Sequence, residues 1–596
     1  MGKQALWCVL CICCGIWVFD PILFGDMNGE TLIDEDLRSG RIDFESATIY
    51  RAYAFFEPSR LPPRYGEQLR GPRCGTPEVL EMISAWPRLS KPTQLLISAY
   101  FQRPSLDRSY LTPSGHVRIH YTLSGTDAVN PSDTDNNSVP DYVDVAAAAF
   151  DSVWAMEVGH LGYNVPLSDG NRGGGPELDV YIVDLGSRNI YGYTYPDIPG
   201  SKRSTSSSYI EVDNNYEGGI YRRTRTRGLD ALKVTAAHEF FHALQFAYYD
   251  GTDARWWQEA TATWMEDVVY DEINDYYQYL PHFFSQPQQA LDKGNALGPT
   301  IRIFGVSIFA HYLAERFGPD VIQRIWEEFE RQTSGDLSAF DRAIPTGLED
   351  AIVEFAIWNW FTGERSKPDG YYSEGPFYPK VASQVVEVSE DSAATGRGVA
   401  DHLAASYLHI EPTNRTGGLD LHLNLDKNAS WQVSLLLIDP EQVRVERIDR
   451  DLAIPSWNQY RAIVIIPTVT SKKGFNYTYT YSIAFDPRLI SSVSPKAFAL
   501  GQNYPNPFVL PEARRTAIPF DLAQFAQEVR LSIYAASGEL VKAVFLRDLA
   551  AQSYSNRLAW DGTNQRGNLV ASGVYYYRLD VDGRSTVRKM AVIRKK

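Results

Sequence analysis

The spacing of apolar residues changes from strand-like to helix-like within residues 104–385. Apolar and polar positions alternate in Val117–Leu123 and Leu178–Leu185, which predicts two β-strands, and Tyr209–Val212 predicts a third. Apolar residues then recur every three or four positions, which predicts long helices. These helices are expected at Leu229–Tyr248, Arg255–Tyr270, Val306–Phe317 and Val321–Gln332. Strands followed by a separate group of helices are typical of an α+β domain.

The segments on either side have different patterns. Residues 26–103 are charged and proline-rich, with short helical patterns at Glu78–Trp86 and Gln94–Phe101. Residues 386–490 and 495–596 alternate in short runs rich in Val, Ile, Tyr and Thr, which predicts two all-β sandwich domains. Strands of the first sandwich are expected at Leu419–Leu425, Trp431–Ile438, Arg461–Ile466 and Tyr477–Phe485. The predicted fold is therefore multidomain, an α+β domain followed by two all-β sandwich domains.

The first residues have the pattern of a signal peptide. Lys3 supplies the positive charge, and Ala5–Phe19 is an almost unbroken apolar run that ends at Asp20. Its length is that of a secretion signal and is short for a transmembrane helix. Because no clean A-x-A cleavage site follows, an uncleaved membrane anchor is the alternative. We interpret residues 1–25 as a signal peptide and expect the chain to be exported.

Charge and cysteine usage narrow the function further. The 596 residues carry 57 Lys+Arg against 73 Asp+Glu, a net charge of −16. An acidic surface argues against non-specific nucleic-acid binding, which needs a basic footprint. Four of the five cysteines lie in the predicted signal, so Cys74 remains alone and no intrachain disulfide is expected in the exported part.

The segment His238-Glu-Phe-Phe-His242 is the motif H-E-x-x-H within a predicted helix. A spacing of four residues places both imidazoles on one helix face, one turn apart, where both can bind one Zn²⁺. Glu239 lies beside them and is the expected general base toward a zinc-bound water. The alternative is two core histidines with a capping glutamate.

A third ligand is expected because catalytic zinc usually has three protein ligands and one water. Trp256–Glu266 follows on the next predicted helix, with the pattern W-x-x-E-A-x-A-x-W-x-E. Together with H-E-x-x-H this pattern resembles the gluzincin metallopeptidases. The resemblance implies a zincin-like catalytic domain at residues 104–385 and makes Glu259 the third ligand. Glu266 is a candidate partner for a ligating histidine, and Asp267 is the weaker alternative.

A wider resemblance covers residues 45–370. Its supporting segments are Val117–Tyr121, Asp133–Asp144, Tyr191–Thr194 and the histidine motif. These segments are similar to those of an uncharacterised bacterial family of secreted metalloproteases. The resemblance implies hydrolysis of a protein or peptide substrate and does not identify that substrate. An oxyanion-stabilising residue is expected among His311, Tyr312 and Tyr276–Tyr279, and the sequence does not choose between them.

A candidate calcium loop lies upstream of the histidine motif. Oxygen ligands stand at positions 1, 3, 5, 9 and 12 of a twelve-residue segment, with a backbone carbonyl at position 7. The residues are Asp133, Asp135, Asn137, Val139, Asp141 and Asp144. Ser138 replaces the usual glycine of such loops, and Asp144 replaces the usual bidentate glutamate. We expect a structural Ca²⁺ here, with an Asx-rich turn as the alternative.

Cys74 is a candidate latch. The segment Pro72–Glu78 resembles the cysteine-switch motif in the propeptides of matrix metalloproteinases. A thiolate is a strong zinc ligand and could occupy the position of the catalytic water. Arg73 would favour the thiolate. Residues 26–103 are therefore interpreted as propeptide-like, although matrix metalloproteinases use three histidine ligands, and an inert buried cysteine is the alternative.

The last segments carry a further resemblance. They are Asn503–Phe508, Ile533–Val541, Trp560–Gly562 and Ala571–Leu579. Their order and spacing resemble C-terminal type IX secretion sorting domains and the related FlgD-like immunoglobulin-like fold. The resemblance implies partners in the type IX secretion machinery or at the cell surface, and a location that is secreted or on the outer membrane of a bacterium.

Two functions of different classes remain open. The first is a secreted zinc endopeptidase made as a zymogen. The second is a non-catalytic surface or adhesion protein with a structural or vestigial metal site. Retention of Glu239 favours the first, because a purely structural site needs no general base. Zinc-dependent hydrolysis of a non-peptide bond is a third possibility.

Overall fold

The structure is a computed structural model. It describes residues 32–66, 74–188, 190–197, 205–295, 301–367, 370–389, 391–439, 442–490, 498–510, 515–522, 525–549, 553–554, 557–581 and 584–595. The predicted signal peptide at residues 1–25 lies outside the described residues, as does Arg73.

Residues 32–103 form short helices. These are α1 (Leu32–Arg38), α2 (Phe44–Phe56), α3 (Pro63–Gly66), α4 (Thr76–Ala85) and α5 (Lys91–Ser98). Helices α2 and α5 have side-chain N-caps, because the side chain of Asp43 accepts a hydrogen bond from the Ser46 amide and that of Ser90 accepts one from the Thr93 amide. Both helical patterns that were predicted here are present as α4 and α5, each extended by a single 3₁₀ turn.

A five-stranded sheet follows. Its strands are β1 (Arg108–Leu111), β2 (Val117–Tyr121), β3 (Leu178–Val183), β4 (Gly192–Pro196) and β5 (Ser208–Asp213). Their order is β1-β2-β3-β5-β4, and the pairs β2/β3 and β3/β5 are parallel. β4 runs antiparallel to β5 at the end of this order, and every residue of β4 is buried.

Helices make up the rest of this region. They are α6 (Asp141–Trp154), α7 (Gly228–Tyr248), α8 (Arg255–Val269), α9 (Leu280–Phe284), α10 (Arg302–Gly305), α11 (Ser307–Phe317), α12 (Asp320–Gln332), α13 (Ser338–Ala343) and α14 (Gly347–Trp360). α7 packs against β4 and β5 on one side and against α6 and α8 on others, so it is buried almost along its whole length. A helix that is apolar nearly all round is expected to be central.

Residues 383–490 form a β-sandwich. Its strands are β6 (Gln384–Val385), β7 (Ala394–Ala400), β8 (Ala404–Ala405), β9 (Leu408–Ile410), β10 (Gly418–Leu425), β11 (Trp431–Ile438), β12 (Val443–Ile448), β13 (Asp451–Ile454), β14 (Ala462–Val469) and β15 (Tyr477–Asp486). One sheet has the order β13-β10-β15-β7 and the other β12-β11-β14-β9-β6, with β8 also paired to β14. Inward side chains of both sheets, such as Leu421, Leu435 and Ile483, share one core.

The last domain is also all-β. Its strands are β16 (Phe498–Leu500), β17 (Phe508–Leu510), β18 (Thr516–Ala517), β19 (Phe520–Leu522), β20 (Ala526–Ala535), β21 (Leu540–Leu549), β22 (Ser553–Tyr554), β23 (Ala559–Trp560), β24 (Gly573–Val581) and β25 (Arg584–Arg594). The largest sheet has the order β17-β25-β24-β20-β21. Tyr575, Tyr577 and Leu579 alternate into a core that also contains Trp560.

The fold prediction is confirmed at the level of classes, with helices and one sheet in the N-terminal part and β-structure after it. The described chain divides into two units, the first ending at Ala382 and the second beginning at Ser383. Short segments at Ala400–Ala405 and Val469–Phe475 belong to the first unit. Among the described residues, none of the helices combines the length and apolar character needed to cross a membrane.

Candidate metal centre

Two packed helices supply the histidine and glutamate side chains of the centre. α7 carries His238, Glu239 and His242, and α8 carries Glu259. Small residues on α7, among them Ala236 and Ala243, are buried where the chain is closely packed. Aromatic packing fixes the start of α8, because the rings of Trp256 and Trp257 lie 5.4 Å and 4.9 Å from that of Phe340.

Four ligand-type atoms converge between these helices and the N-terminal segment. His238 Nε2 lies 3.3 Å from Glu259 Oε2, and His242 Nε2 lies 3.2 Å from Glu259 Oε1. Cys74 Sγ lies 3.5 Å from His242 Nε2. All four ligand atoms are within 4.8 Å of one another, and all four residues are buried. The structure thus brings together the three predicted ligands and the predicted latch.

The centre has the properties expected for a single metal ion. His238 Nε2 and Glu259 Oε2 are buried and lie 3.3 Å apart, an ion-pair distance, but neither makes a hydrogen bond of good geometry among the described residues. Buried polar atoms are rarely left in that state unless an ion or water completes them. Two imidazoles, one carboxylate and one thiol could therefore hold one metal ion.

The outer nitrogens of both histidines are held by hydrogen bonds. His238 Nδ1 lies 2.8 Å from Glu266 Oε1, and His242 Nδ1 lies 2.7 Å from Gln245 Oε1. Gln245 in turn donates to the carbonyl of Gln258 at 2.9 Å. Because an oxygen of Glu266 or Gln245 accepts at Nδ1, Nδ1 of each histidine carries a proton, and Nε2 is the nitrogen that faces the centre.

Glu266, and not Asp267, is the partner of a ligating histidine. Asp267 lies instead 3.9 Å from His311. The sequence did not predict the role of Gln245, although its position three residues after His242 on one helix was a usable signal.

The charged groups of the centre shift one another's pKa values strongly. Burial lowers the pKa of His238, but the carboxylates of Glu259 and Glu266 outweigh burial and raise it to about 10. Burial raises the pKa of Glu259, but the two histidines outweigh burial and lower it to about 2. The pKa of the Cys74 thiol is well above its usual value, because of burial and then because of Glu239 and Glu259. With no metal bound, the pocket therefore disfavours a Cys74 thiolate.

Glu239, the predicted general base, is held by two threonines. Its Oε2 accepts from Thr194 Oγ1 at 2.8 Å and from Thr76 Oγ1 at 3.2 Å. Thr194 lies on β4, which approaches α7 so closely that a Cβ at Gly192 would lie 2.9 Å from Glu239 Cγ. Glycine is needed at position 192 for this approach. Thr194 lies in a segment that the sequence singled out, but its role toward Glu239 was not foreseen.

The segment around Cys74 lies along β4. The Gly75 amide donates to the Gly192 carbonyl at 2.9 Å, and the Thr194 amide donates to Thr76 Oγ1 at 2.8 Å. Cys74 and Gly192 form a parallel β-bridge. Residues 74–76 therefore occupy the side of the centre that is next to Glu239. The predicted effect of Arg73 on the thiol concerns a residue outside the described part of the chain.

The candidate calcium loop is closed by its own hydrogen bonds. Asp133 accepts from the amides of Asn137 and Ser138, and the Asn137 side chain donates to Asp135 and Asp144. Ser138 has a φ of 72°, the left-handed conformation that glycine usually supplies at this position.

Positions 9 and 12 of the predicted twelve-residue loop lie in a helix and not in a loop. Asp141 and Asp144 lie in the first turn of α6, and Asp141 accepts from Ser132 Oγ and the Thr134 amide, both at 2.8 Å. The Val139 amide donates to Asn137 Oδ1 at 2.7 Å. This network accounts for the acidic side chains without an ion, and Ca²⁺ stays a prediction.

The candidate oxyanion-stabilising residues contact different side chains from one another. Tyr276 donates to Glu374 and shares a hydrogen bond with Tyr378, while its ring stacks on His311 at 4.3 Å. Burial lowers the pKa of His311 to about 3. Tyr312 donates to Glu354 at 3.3 Å. Within Tyr276–Tyr279, Tyr279 packs on Phe304, whose ring lies 6.2 Å from that of His238.

Comparison with known proteins identifies one domain. Residues 510–584 match the model of the FlgD Ig-like domain family. No curated protein matches the chain. The C-terminal region therefore contains a FlgD Ig-like domain, as its sequence segments predicted.

Several solved structures are similar to parts of the chain. PorZ, a surface component of the type IX secretion system of Porphyromonas gingivalis, is 20% identical over 19% of this chain and 14% of its own, with a TM-score of 0.13. FlgD from P. aeruginosa is 25% identical over 13% of this chain and 56% of its own, with a TM-score of 0.11. Latent dimeric PorU from P. gingivalis is 14% identical over 34% and 20%, with a TM-score of 0.16. With TM-scores this low, none of them describes the fold of the whole chain.

Proposed function

We propose that the chain is a secreted zinc endopeptidase of gluzincin type, kept latent by Cys74. The observation that carries this proposal is the convergence of His238, His242, Glu259 and Cys74 beside a buried Glu239. Imidazole, carboxylate and thiolate are the ligands of protein zinc sites, which supports zinc over calcium or magnesium. Three of these ligands lie on α7 and α8, in the helix order typical of a zincin-like domain.

The proposed chemistry depends on Glu239. A bound zinc ion would supply Lewis-acid polarisation of the scissile carbonyl and of a water molecule. Glu239 stands on α7 between the two histidines, where its carboxylate takes the proton of the attacking water and passes it to the leaving amine. Thr194 Oγ1 donates to this carboxylate and holds it against β4. Thr194 is thus a positioning residue for the general base.

Latency follows from two contacts of the N-terminal segment. Cys74 completes a set of four ligands, which leaves no coordination position for water in a tetrahedral site. Thr76 Oγ1 donates to Glu239, the group that water would otherwise approach. The chain would become active when residues 74–76 leave the centre.

We further propose export to the bacterial surface. The apolar N-terminal run supports a signal peptide, and the FlgD Ig-like domain supports a C-terminal sorting domain for type IX secretion. The partner would be the type IX secretion machinery or the cell surface.

A second candidate function is a non-catalytic surface protein with a structural zinc. The observation that favours it is the closed set of four ligands, because structural zinc sites have four protein ligands and catalytic sites keep one position open. In that case Cys74 would be a permanent ligand, and its removal would cost stability without producing activity.

Casein hydrolysis by full-length, zinc-loaded chains tests the proposal. Cys74→Ala/Thr76→Ala removes both latch contacts and should cleave casein, while the parent chain should not. Adding Glu239→Gln should lower cleavage by about 10²–10⁴-fold with zinc content unchanged, since the substitution removes only the general base. Zinc retained by every chain with casein intact would contradict the peptidase and favour the structural site. Absence of zinc from the parent would contradict the ligand assignment.

A further inference from the structure

Arg255 is a buried cation close to the centre. It is the first residue of α8, one helical turn before Glu259, and only 6% of it is exposed. Four residues of helix correspond to about 6 Å along the axis. Its Nε has no hydrogen-bond partner in the part of the chain that the structure describes.

The acidic groups next to Arg255 come from α4. Glu81 Oε2 lies 3.8 Å from Arg255 Nη1 and also pairs with Arg51 at 3.0 Å through its other oxygen. Glu78, one turn earlier on α4, has a buried carboxylate oxygen without a hydrogen-bond partner among the described residues. Burial raises the pKa of Glu78, and Arg255 is near enough to oppose that rise.

α4 begins at Thr76, directly after the residues that close the centre. The segment that blocks the centre is therefore the segment that supplies Arg255 with acidic neighbours. When this segment leaves, Arg255 loses them. Within the described residues, Glu81 is the one ion-pair partner of Arg255 closer than 4 Å. The guanidinium of Arg255 is then without its nearest carboxylate, so an anion that replaces α4 gains a charge-assisted hydrogen bond.

We propose that Arg255 is a specificity-determining residue that selects peptide substrates with an acidic side chain near the cleaved bond. This inference rests on the proposed function, because it assigns a substrate class to the same centre. An extended peptide advances about 3.3 Å per residue, so a side chain two or three residues from the scissile bond can reach a group about 6 Å along α8. Glu78 and Glu81 of α4 occupy this place in the latent chain.

A randomised peptide library tests the inference in the full-length, zinc-loaded background Cys74→Ala/Thr76→Ala/Glu81→Gln, which also removes the carboxylate that pairs with Arg255 in the latent chain. Mass spectrometry of the products should show Glu and Asp enriched at one position within three residues of the cleaved bond. Arg255→Gln should reduce the preference for Glu over Gln at that position by about 10–100-fold, the range for a hydrogen bond to a charged group. Arg255→Lys should retain part of the preference, and Arg324→Gln, which changes a partly exposed arginine on α12, should retain all of it.

Binding provides a second readout that needs no turnover. The same background with Glu239→Gln is titrated with two fluorescent peptides that differ only by Glu or Gln at the selected position. The Glu peptide should bind more tightly, and Arg255→Gln should remove the difference. Cleavage without acidic enrichment, or a preference that survives Arg255→Gln, overturns this inference and leaves the peptidase intact. A library with no cleaved peptide overturns the proposed function itself.

Discussion

At the scale of single residues, the candidate ligands His238 and His242 are oriented by hydrogen bonds to Glu266 and Gln245. The helical spacing of H-E-x-x-H predicted His238 and His242 as ligands, and the resemblance to gluzincins added Glu259; the structure brings these three side chains together. The sequence favoured Glu266 over Asp267 as the partner of a histidine, and in the structure Glu266 is the residue that lies 2.8 Å from His238 Nδ1. Thr194 was beyond prediction as a positioning residue, because its contact with Glu239 depends on how β4 packs on α7.

Glu266→Gln should weaken metal binding by about 10–100-fold. The substitution keeps the size of the side chain but removes the negative charge that His238 Nδ1–H faces at 2.8 Å. Competition with a zinc chelator measures the change. Asp267→Asn is the matched control, since Asp267 lies beside His311 on the same helix and its substitution should leave zinc affinity unchanged. Equal losses in both variants would contradict the role given to Glu266.

At the scale of elements, periodicity predicted α7, α8, α11 and α12 well, but it missed three helices of 13 or 14 residues, which are α2, α6 and α14. α7 and α8 begin and end within one residue of the predicted bounds. β4 was missed as a strand because its short sequence begins with Gly192 and ends with Pro196, two residue types that are depleted in strands. α6 was missed because its first turn contains Asp141 and Asp144, which were assigned to a loop.

The fit of the N-terminal segment against β4 depends on Gly75. A Cβ at this position would lie 2.4 Å from Phe55 Cζ and 3.0 Å from Tyr193 Cδ1, so an alanine requires the segment or the rings to move. Gly75→Ala should therefore loosen Cys74 and increase the rate at which a maleimide modifies it. Mass spectrometry of the peptide that contains Cys74 measures this rate separately from the other cysteines.

The matched control for that experiment is Gly159→Ala. A Cβ at Gly159 would have its nearest contact at 3.9 Å, an ordinary distance, so the rate at Cys74 should not change. If Gly75→Ala left the rate at the parent value, the close packing of residues 74–76 beside the centre would be wrong.

At the scale of the whole molecule, the two units have different assignments. The first unit contains the candidate metal centre and the N-terminal segment that packs beside it, and the second contains most of the β-strands from β6 onward. The FlgD Ig-like match lies entirely in the second unit. The net charge argued against non-specific nucleic-acid binding and the N-terminal apolar run predicted export, but neither could show that Cys74 and His242, 168 residues apart, lie in contact. Contacts between residues so distant in sequence come from the packing of the folded chain.

The X-ray absorption spectrum of the full-length chain at the zinc edge tests the central claim most directly. The account predicts one sulfur neighbour at about 2.3 Å together with nitrogen and oxygen neighbours at about 2.0–2.2 Å. In Cys74→Ser the sulfur neighbour should be lost while zinc is retained by His238, His242 and Glu259. A parent spectrum with only nitrogen and oxygen neighbours, or a sulfur neighbour that persists in Cys74→Ser, would contradict a zinc centre closed by Cys74.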